Sequence, residues 1–189
     1  MSASASPAAA VPRTSMPAAM WALLAGNFVV GTGVMMVPAT LNELSSSLQV
    51  PVATAGQLIT ASAIVMCFGA PLLAALVAGW DRRRLLALSL AWFGMLHLAC
   101  TLMPSFAALL PMRMLAVIAP AVFTPQAAAC VGLLVTPDQR ARAITFAFLG
   151  WSVASVLGMP LGAFIGAMVG WRSAFSAVGL LSLASALWI

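Results

Sequence analysis

Arg113 makes the strongest chemical demand of any residue in this 189-residue chain. It lies about seven residues inside an apolar run that begins near Phe106, roughly 10 Å in if that run is a helix rising 1.5 Å per residue. A guanidinium at such depth must face water, a partner or the interior of a helix bundle, or else snorkel to the surface. The expectation is that it lines a central cavity. His97, the single histidine, sits in the preceding apolar run, where it could act as a titrating group or as a hydrogen-bonded structural one. Asn27, Thr124 and Gln126 are further polar side chains within apolar runs. The acidic residues Glu43, Asp81 and Asp138 all fall in connections, so no run holds a paired acid and base, an HExxH or a nucleophile constellation. The absence of lysine rules out a phosphate-binding GxxxxGK loop. Cys67, Cys100 and Cys130 are widely spaced inside apolar segments and read as free thiols packing as small hydrophobes. The chain is expected not to be an enzyme, to hold no metal and to need no cofactor.

The elements that position these groups follow from composition. The chain is 63% hydrophobic and 6% charged, with a mean hydropathy of +1.11, whereas a soluble domain is roughly a quarter charged. A bilayer crossing takes about 20 apolar residues, and lipid leaves helices as the natural spanning form for runs this uniformly apolar. The expected fold is an all-α membrane protein with six transmembrane helices at about 18–40, 53–79, 85–103, 106–133, 141–168 and 172–189. Residues 1–17, rich in Ala, Ser and Pro, read as a disordered cytoplasmic lead. The stretch "LNELSSSLQVP" reads as a polar outer loop, and "TPDQ" at Thr136 to Gln139 as the start of a new helix. Arg13, Arg82, Arg83, Arg84, Arg140 and Arg142 fall on one side of the layer and Arg172 on the other. By the positive-inside rule the amino terminus is cytoplasmic, with the chain in the cell inner (plasma) membrane. The basic pI near 11.2 comes without a basic stripe interleaved with aromatics, so nucleic acid is not an expected partner.

The stretch "GAPLLAALVAGWDRRR" (Gly69 to Arg84) returns as "GMPLGAFIGAMVGWR" (Gly158 to Arg172). Three crossings separate the copies, so they run in opposite directions, and the bundle is expected to be a 3+3 inverted repeat, a construction used by secondary transporters. Gly150, Ala154, Gly158, Gly162, Gly166 and Gly170 fall four apart along the fifth span. They form a strip that another helix can approach closely, as tight packing or as a moving seam. Pro160, within it, removes a helix hydrogen bond and should bend the span.

The second-span stretch with its basic turn, "MRMLAVIAPAVFTPQAAA" in the fourth and "GWSVASVLGMPLGAFIGAMVGWRSAF" in the fifth together resemble the amino-terminal half of a major facilitator superfamily transporter. The resemblance is to the branch of proton-driven drug and sugar exporters that includes arabinose-efflux permease-like proteins. It implies half of a twelve-helix fold, with the carboxy-terminal half absent from this chain. It also implies secondary active efflux of a small molecule, such as a drug, sugar or metabolite, by alternating access with proton antiport. On the same ground Arg113, Asn27, Thr124, Gln126 and His97 are expected at a substrate and coupling cavity. Gly69, Asp81, Arg82, Arg83 and Arg84 correspond to a cytoplasmic gate (motif A), although the arginines alone suffice to set topology. Gly150, Gly158, Pro160, Gly162 and Gly166 correspond to the helix-packing motif C. Three departures stand out: Ala78 where motif A has an acid, Met159 between Gly158 and Pro160, and Gly33 where exporters often carry an acid in the first span. With every carboxylate in a connection, a coupling carboxylate is expected in another polypeptide segment. Partners are the bilayer, protons, a small substrate, and either the missing half or a second copy. The alternative is a truncated or self-pairing six-span protein without independent transport, burying the glycine strip or the first and fourth spans between copies.

Overall fold

The long apolar runs all become helix. The computed structural model describes residues 18–189, and every regular element among them is helical; the expected disordered lead at 1–17 lies outside the described residues. In chain order the helices are α1 (Ala18–Ala39), α2 (Leu41–Ser47), α3 (Val52–Leu76), α4 (Arg82–Thr101), α5 (Phe106–Ala116), α6 (Ile118–Leu134), α7 (Arg140–Val153), a π-helical turn (Ala154–Gly158), α8 (Met159–Val169) and α9 (Trp171–Trp188).

Five stretches are long and apolar enough to cross a membrane: Ala18–Ala39, Val52–Leu76, Arg82–Thr101, Phe106–Leu134 and Arg140–Val169. The expected sixth, α9, forms as an 18-residue helix but is not among them. Arg172 and four serines lower its hydropathy. It turns its polar groups inward: Ser182 is fully buried and its hydroxyl donates to the Leu90 carbonyl of α4 at 2.7 Å. The most extensive helix pairings are α4 with α9 and α1 with α7. Gly94 and Gly179 allow the first, since a Cβ on Gly94 would come within 2.8 Å of the Gly179 carbonyl oxygen. The core between these helices holds Leu23, Val30, Met36, Leu90, Phe93, Phe123 and Phe175. By contrast α3 buries only Ala55, Leu58 and Ser62 and turns Ile64, Phe68, Leu72 and Leu76 outward.

Four local expectations need correcting. The "LNELSSSLQVP" stretch is not simply a loop: Leu41–Ser47 forms a two-turn helix, anchored by the fully buried Leu44. The fourth span is interrupted at Val117, between α5 and α6; Pro120 has no N–H to donate three residues later, which weakens the helix there. Regular helix after "TPDQ" starts only at Arg140, without a side-chain cap, because Thr136 to Gln139 is taken up by a turn closed by Gln139 N–H to the Thr136 carbonyl at 3.0 Å. Around Pro160 the fifth span is not only bent. The π turn Ala154–Gly158 immediately precedes it, an arrangement that makes room where the proline ring would meet the carbonyl four residues back.

Candidate functional site

Arg113 lies in the last turn of α5, and only 1% of it is exposed. It does not snorkel to the surface; it is clasped between helices. Its Nη2 donates to the Gly33 carbonyl of α1 at 2.7 Å and to the Val34 carbonyl at 3.3 Å. Helix α1 offers these oxygens for a reason legible in its own sequence. Pro38, inside α1, has no N–H to donate to the carbonyl four residues earlier, so the Val34 oxygen lacks its usual partner. Gly33 is needed at the same point because a Cβ there would come within 2.5 Å of the Phe93 ring. A main-chain carbonyl thus meets the guanidinium where the resemblance would place an acidic side chain.

His97 of α4 completes the clasp. Its Nδ1 is 2.9 Å from the Phe93 carbonyl oxygen, which can only accept, so Nδ1 carries the hydrogen. The Nε2 lone pair is then free to accept from Arg113 Nη1 at 2.8 Å. The imidazole is fully buried, its ring centroid 4.1 Å from that of Phe93, and the Arg113 guanidinium carbon stands 5.7 Å from the Phe175 ring of α9. A single cation therefore joins α1, α4, α5 and α9 through carbonyls, an imidazole and an aromatic face. Its Nε–H has no partner among the described residues.

The other polar positions do not join this cluster. Asn27 is fully buried; its amide donates to the Leu23 carbonyl at 3.1 Å and its Oδ1 accepts from the Trp151 indole at 3.2 Å, tying α1 to α7. Thr124 and Gln126 lie on α6, where the Thr124 hydroxyl and Gln126 Oε1 are buried without partners among the described residues. Among the five positions expected at the cavity, the described residues show one direct hydrogen bond, between Arg113 and His97. Trp151 was missing from the sequence-based set, although an indole N–H in an apolar span signals a need for an acceptor.

The gate residues lie together at the start of α4. Asp81 Oδ1 accepts from Arg84 N–H at 2.9 Å, capping the helix, and Arg83 donates to the Ile189 carbonyl at 2.6 Å. Gly69, by contrast, lies well inside α3. The glycine strip packs on α1. A Cβ at Gly150 would overlap the Leu24 carbonyl, one at Gly158 the Thr32 hydroxyl, and one at Gly162 would come within 2.5 Å of the Met36 thioether. At Gly166 it would lie 2.7 Å from Thr40 Cγ2. From Gly150 to Gly166 the strip is thus occupied by the chain's own first helix. Cys67, Cys100 and Cys130 are free thiols. No group of three metal-ligating side chains occurs among the described residues.

A cation buried among helices that are otherwise apolar enough to span a bilayer is the architecture of a membrane transport protein rather than of a soluble domain. Residues 23–189 match the family model of the Major Facilitator Superfamily, and the chain belongs to that family. It is 35% identical over 171 residues to a chloramphenicol resistance protein of Streptomyces lividans, covering 90% of this chain and 44% of the relative. It is 33% identical to the uncharacterized MFS-type transporter YtbD of Bacillus subtilis, covering 90% of this chain and 43% of the relative. It is 34% identical to a probable sugar efflux transporter of Helicobacter pylori, covering 80% of this chain and 39% of the relative. The chain thus spans less than half the length of these relatives.

Proposed function

We propose that this chain supplies the amino-terminal half of a secondary active efflux transporter. In this reading six helices cross the cell inner membrane as a 3+3 inverted repeat, with the amino terminus cytoplasmic. They work with a second half to move a small molecule outward by alternating access, with proton antiport. The substrate is of the kind named for the relatives, an amphenicol-like drug or a sugar. Arg113 is the coupling cation, and Asn27, Thr124, Gln126 and His97 are the polar positions from which substrate contacts are drawn. The turn at Asp81, Arg82, Arg83 and Arg84, with Gly69 on the helix leading to it, works as the cytoplasmic gate.

The observation that carries this reading is the clasp around Arg113. An intramembrane cation is costly and is retained where it serves an ion or substrate path. Here it is held by backbone carbonyls and a neutral imidazole, partners it can leave without abandoning a counter-charge. Discontinuous helices near a site supply freed carbonyls in transporters generally; Pro38 and the break at Val117 create such points on α1 and between α5 and α6. The test is accumulation of chloramphenicol and of a radiolabelled sugar in cells expressing the chain together with its second half, with and without an uncoupler. Expression should lower accumulation, the uncoupler should restore it, and Arg113→Ala should bring it to the vector level. Accumulation unchanged for both compounds, with Arg113→Ala indistinguishable from the native protein, would reject the assignment.

A further inference from the structure

The side-chain carboxylates of the chain are Glu43, Asp81 and Asp138, and Asp81 is engaged as the α4 cap. Glu43 stands elsewhere, at a cavity of about 320 Å³ where α2 meets the end of α8 and the start of α9. That volume falls at the small end of the range of ligand sites, roughly 300–1,000 Å³. The wall from α2 brings the Glu43 carboxylate with the Ser46 and Ser47 hydroxyls; the opposite wall brings Gly170, Trp171 and Arg172.

Arg172 does not spend its charge on Glu43. Its Nε and Nη2 each donate at 3.0 Å to the carbonyls of Thr101 and Met103, and its Nη1 donates to Ser47 Oγ at 3.2 Å. All three acceptors are neutral, and two of the five guanidinium hydrogens remain. The guanidinium is fixed further by lying 4.4 Å from the Trp171 ring centroid. Trp171 is 2% exposed, and its indole N–H has no partner among the described residues. Ser46 directs its hydroxyl hydrogen to the Glu43 main-chain carbonyl at 3.2 Å, and the Glu43 carboxylate has no hydrogen bond or ion pair among the described residues. One small cavity thus has a braced cation with spare donors on one wall and a free carboxylate on the other.

We infer that this cavity binds a small zwitterion, its ammonium on Glu43 and its carboxylate or phosphate on Arg172. Two sources carry that chemistry: a soluble amino acid, or the ethanolamine headgroup of a lipid. The site lies apart from Arg113 and does not rest on the efflux reading, so it stands or falls by binding alone.

The experiment is calorimetric titration of the full chain in maltoside detergent at physiological ionic strength, with glycine, β-alanine and γ-aminobutyrate as probes. Propionate and ethylamine serve as single-charge controls. At least one amino acid should bind saturably, and at least tenfold tighter than either control. Arg172 also braces Thr101 and Met103, so the decisive variants are at Glu43. Glu43→Gln should lose tenfold or more for the amino acid, and Glu43→Lys should reverse the preference in favour of propionate. Repeating the titration in nanodiscs separates the sources. Suppression by phosphatidylethanolamine relative to phosphatidylglycerol supports a lipid headgroup in the site, and equal binding in both supports a soluble ligand. No saturable binding by any of the three probes, or full amino-acid affinity in Glu43→Gln, overturns the inference.

Discussion

The two copies of the Gly-x-Pro-Leu sentence fold into helices that live in opposite surroundings. In the first copy Gly69 has room for a Cβ, its nearest neighbour being Leu73 Cδ1 at 3.6 Å, and Gly79 has nothing within 4 Å. Trp80 is 56% exposed, and Pro71 sits inside an α3 that stays α-helical throughout. In the second copy Gly158 and Gly162 are pressed on α1, Trp171 is 2% exposed, and a π turn precedes Pro160. Similar local sequence therefore does not mean similar packing. What differs is the neighbour: α1 lies along the second copy, while α3 packs on α5 and α6 and leaves its glycines facing open space. A glycine in a helix is needed where a neighbouring helix leaves no room for a Cβ.

This contrast can be broken by substituting matched positions and following unfolding in detergent by tryptophan fluorescence and circular dichroism. The largest effect is expected from Trp171→Ala, at about 3–5 kcal/mol for emptying a packed indole site. Trp80→Ala should stay within about 0.5 kcal/mol, as for other surface changes; equal losses would mean that the two copies are packed alike. Next come Gly150→Leu and Gly158→Leu, on the order of 3 kcal/mol because a side chain must be forced against α1. Gly69→Leu, with open space before it, should be close to neutral. Arg172→Gln should cost about 2 kcal/mol through the carbonyls of Thr101 and Met103 left unpaired, against less than about 0.5 kcal/mol for the exposed Arg84→Gln. Smallest is the pair at the ends of the copies. Asp81→Ala removes a helix cap worth about 1 kcal/mol, and Gly170→Ala should cost a similar amount by placing a Cβ on a residue with φ of 96°.

The long helices were legible because their apolar runs leave no other way to satisfy a backbone in lipid, and Arg113 was conspicuous because so few charges interrupt those runs. What it touches was much harder to read. A sequence shows which side chains exist, whereas two of the three partners of Arg113 are main-chain oxygens about 80 positions away. The one clue was Pro38, which frees the Val34 carbonyl wherever it stands in a helix. Helix α2 was missed although Leu41, Leu44 and Leu48 stand at helical spacing, because two turns among three serines give too short a pattern to weigh against a loop. Polarity inside a span likewise does not name its partner: Asn27 accepts from the Trp151 indole, 124 positions away. The helix expected at 172–189 does form, as α9, and its serines and Arg172 lower its hydropathy while Ser182 bonds inward to α4.

The π turn before Pro160 has a consequence for the whole length of the fifth span. Residues four apart on an α-helix overshoot a full rotation by about 40°, so a straight helix would swing Gly166 about 160° away from Gly150. A turn closed by bonds to the fifth residue rotates less per residue, and between Ala154 and Gly158 it gives back part of that lead. The remainder is matched on α1, whose contacting residues Phe28, Thr32, Met36 and Thr40 also fall four apart and drift in step. A detour beside one proline thereby keeps small residues, Gly150, Ala154, Gly158, Gly162 and Gly166, facing α1 along the seam.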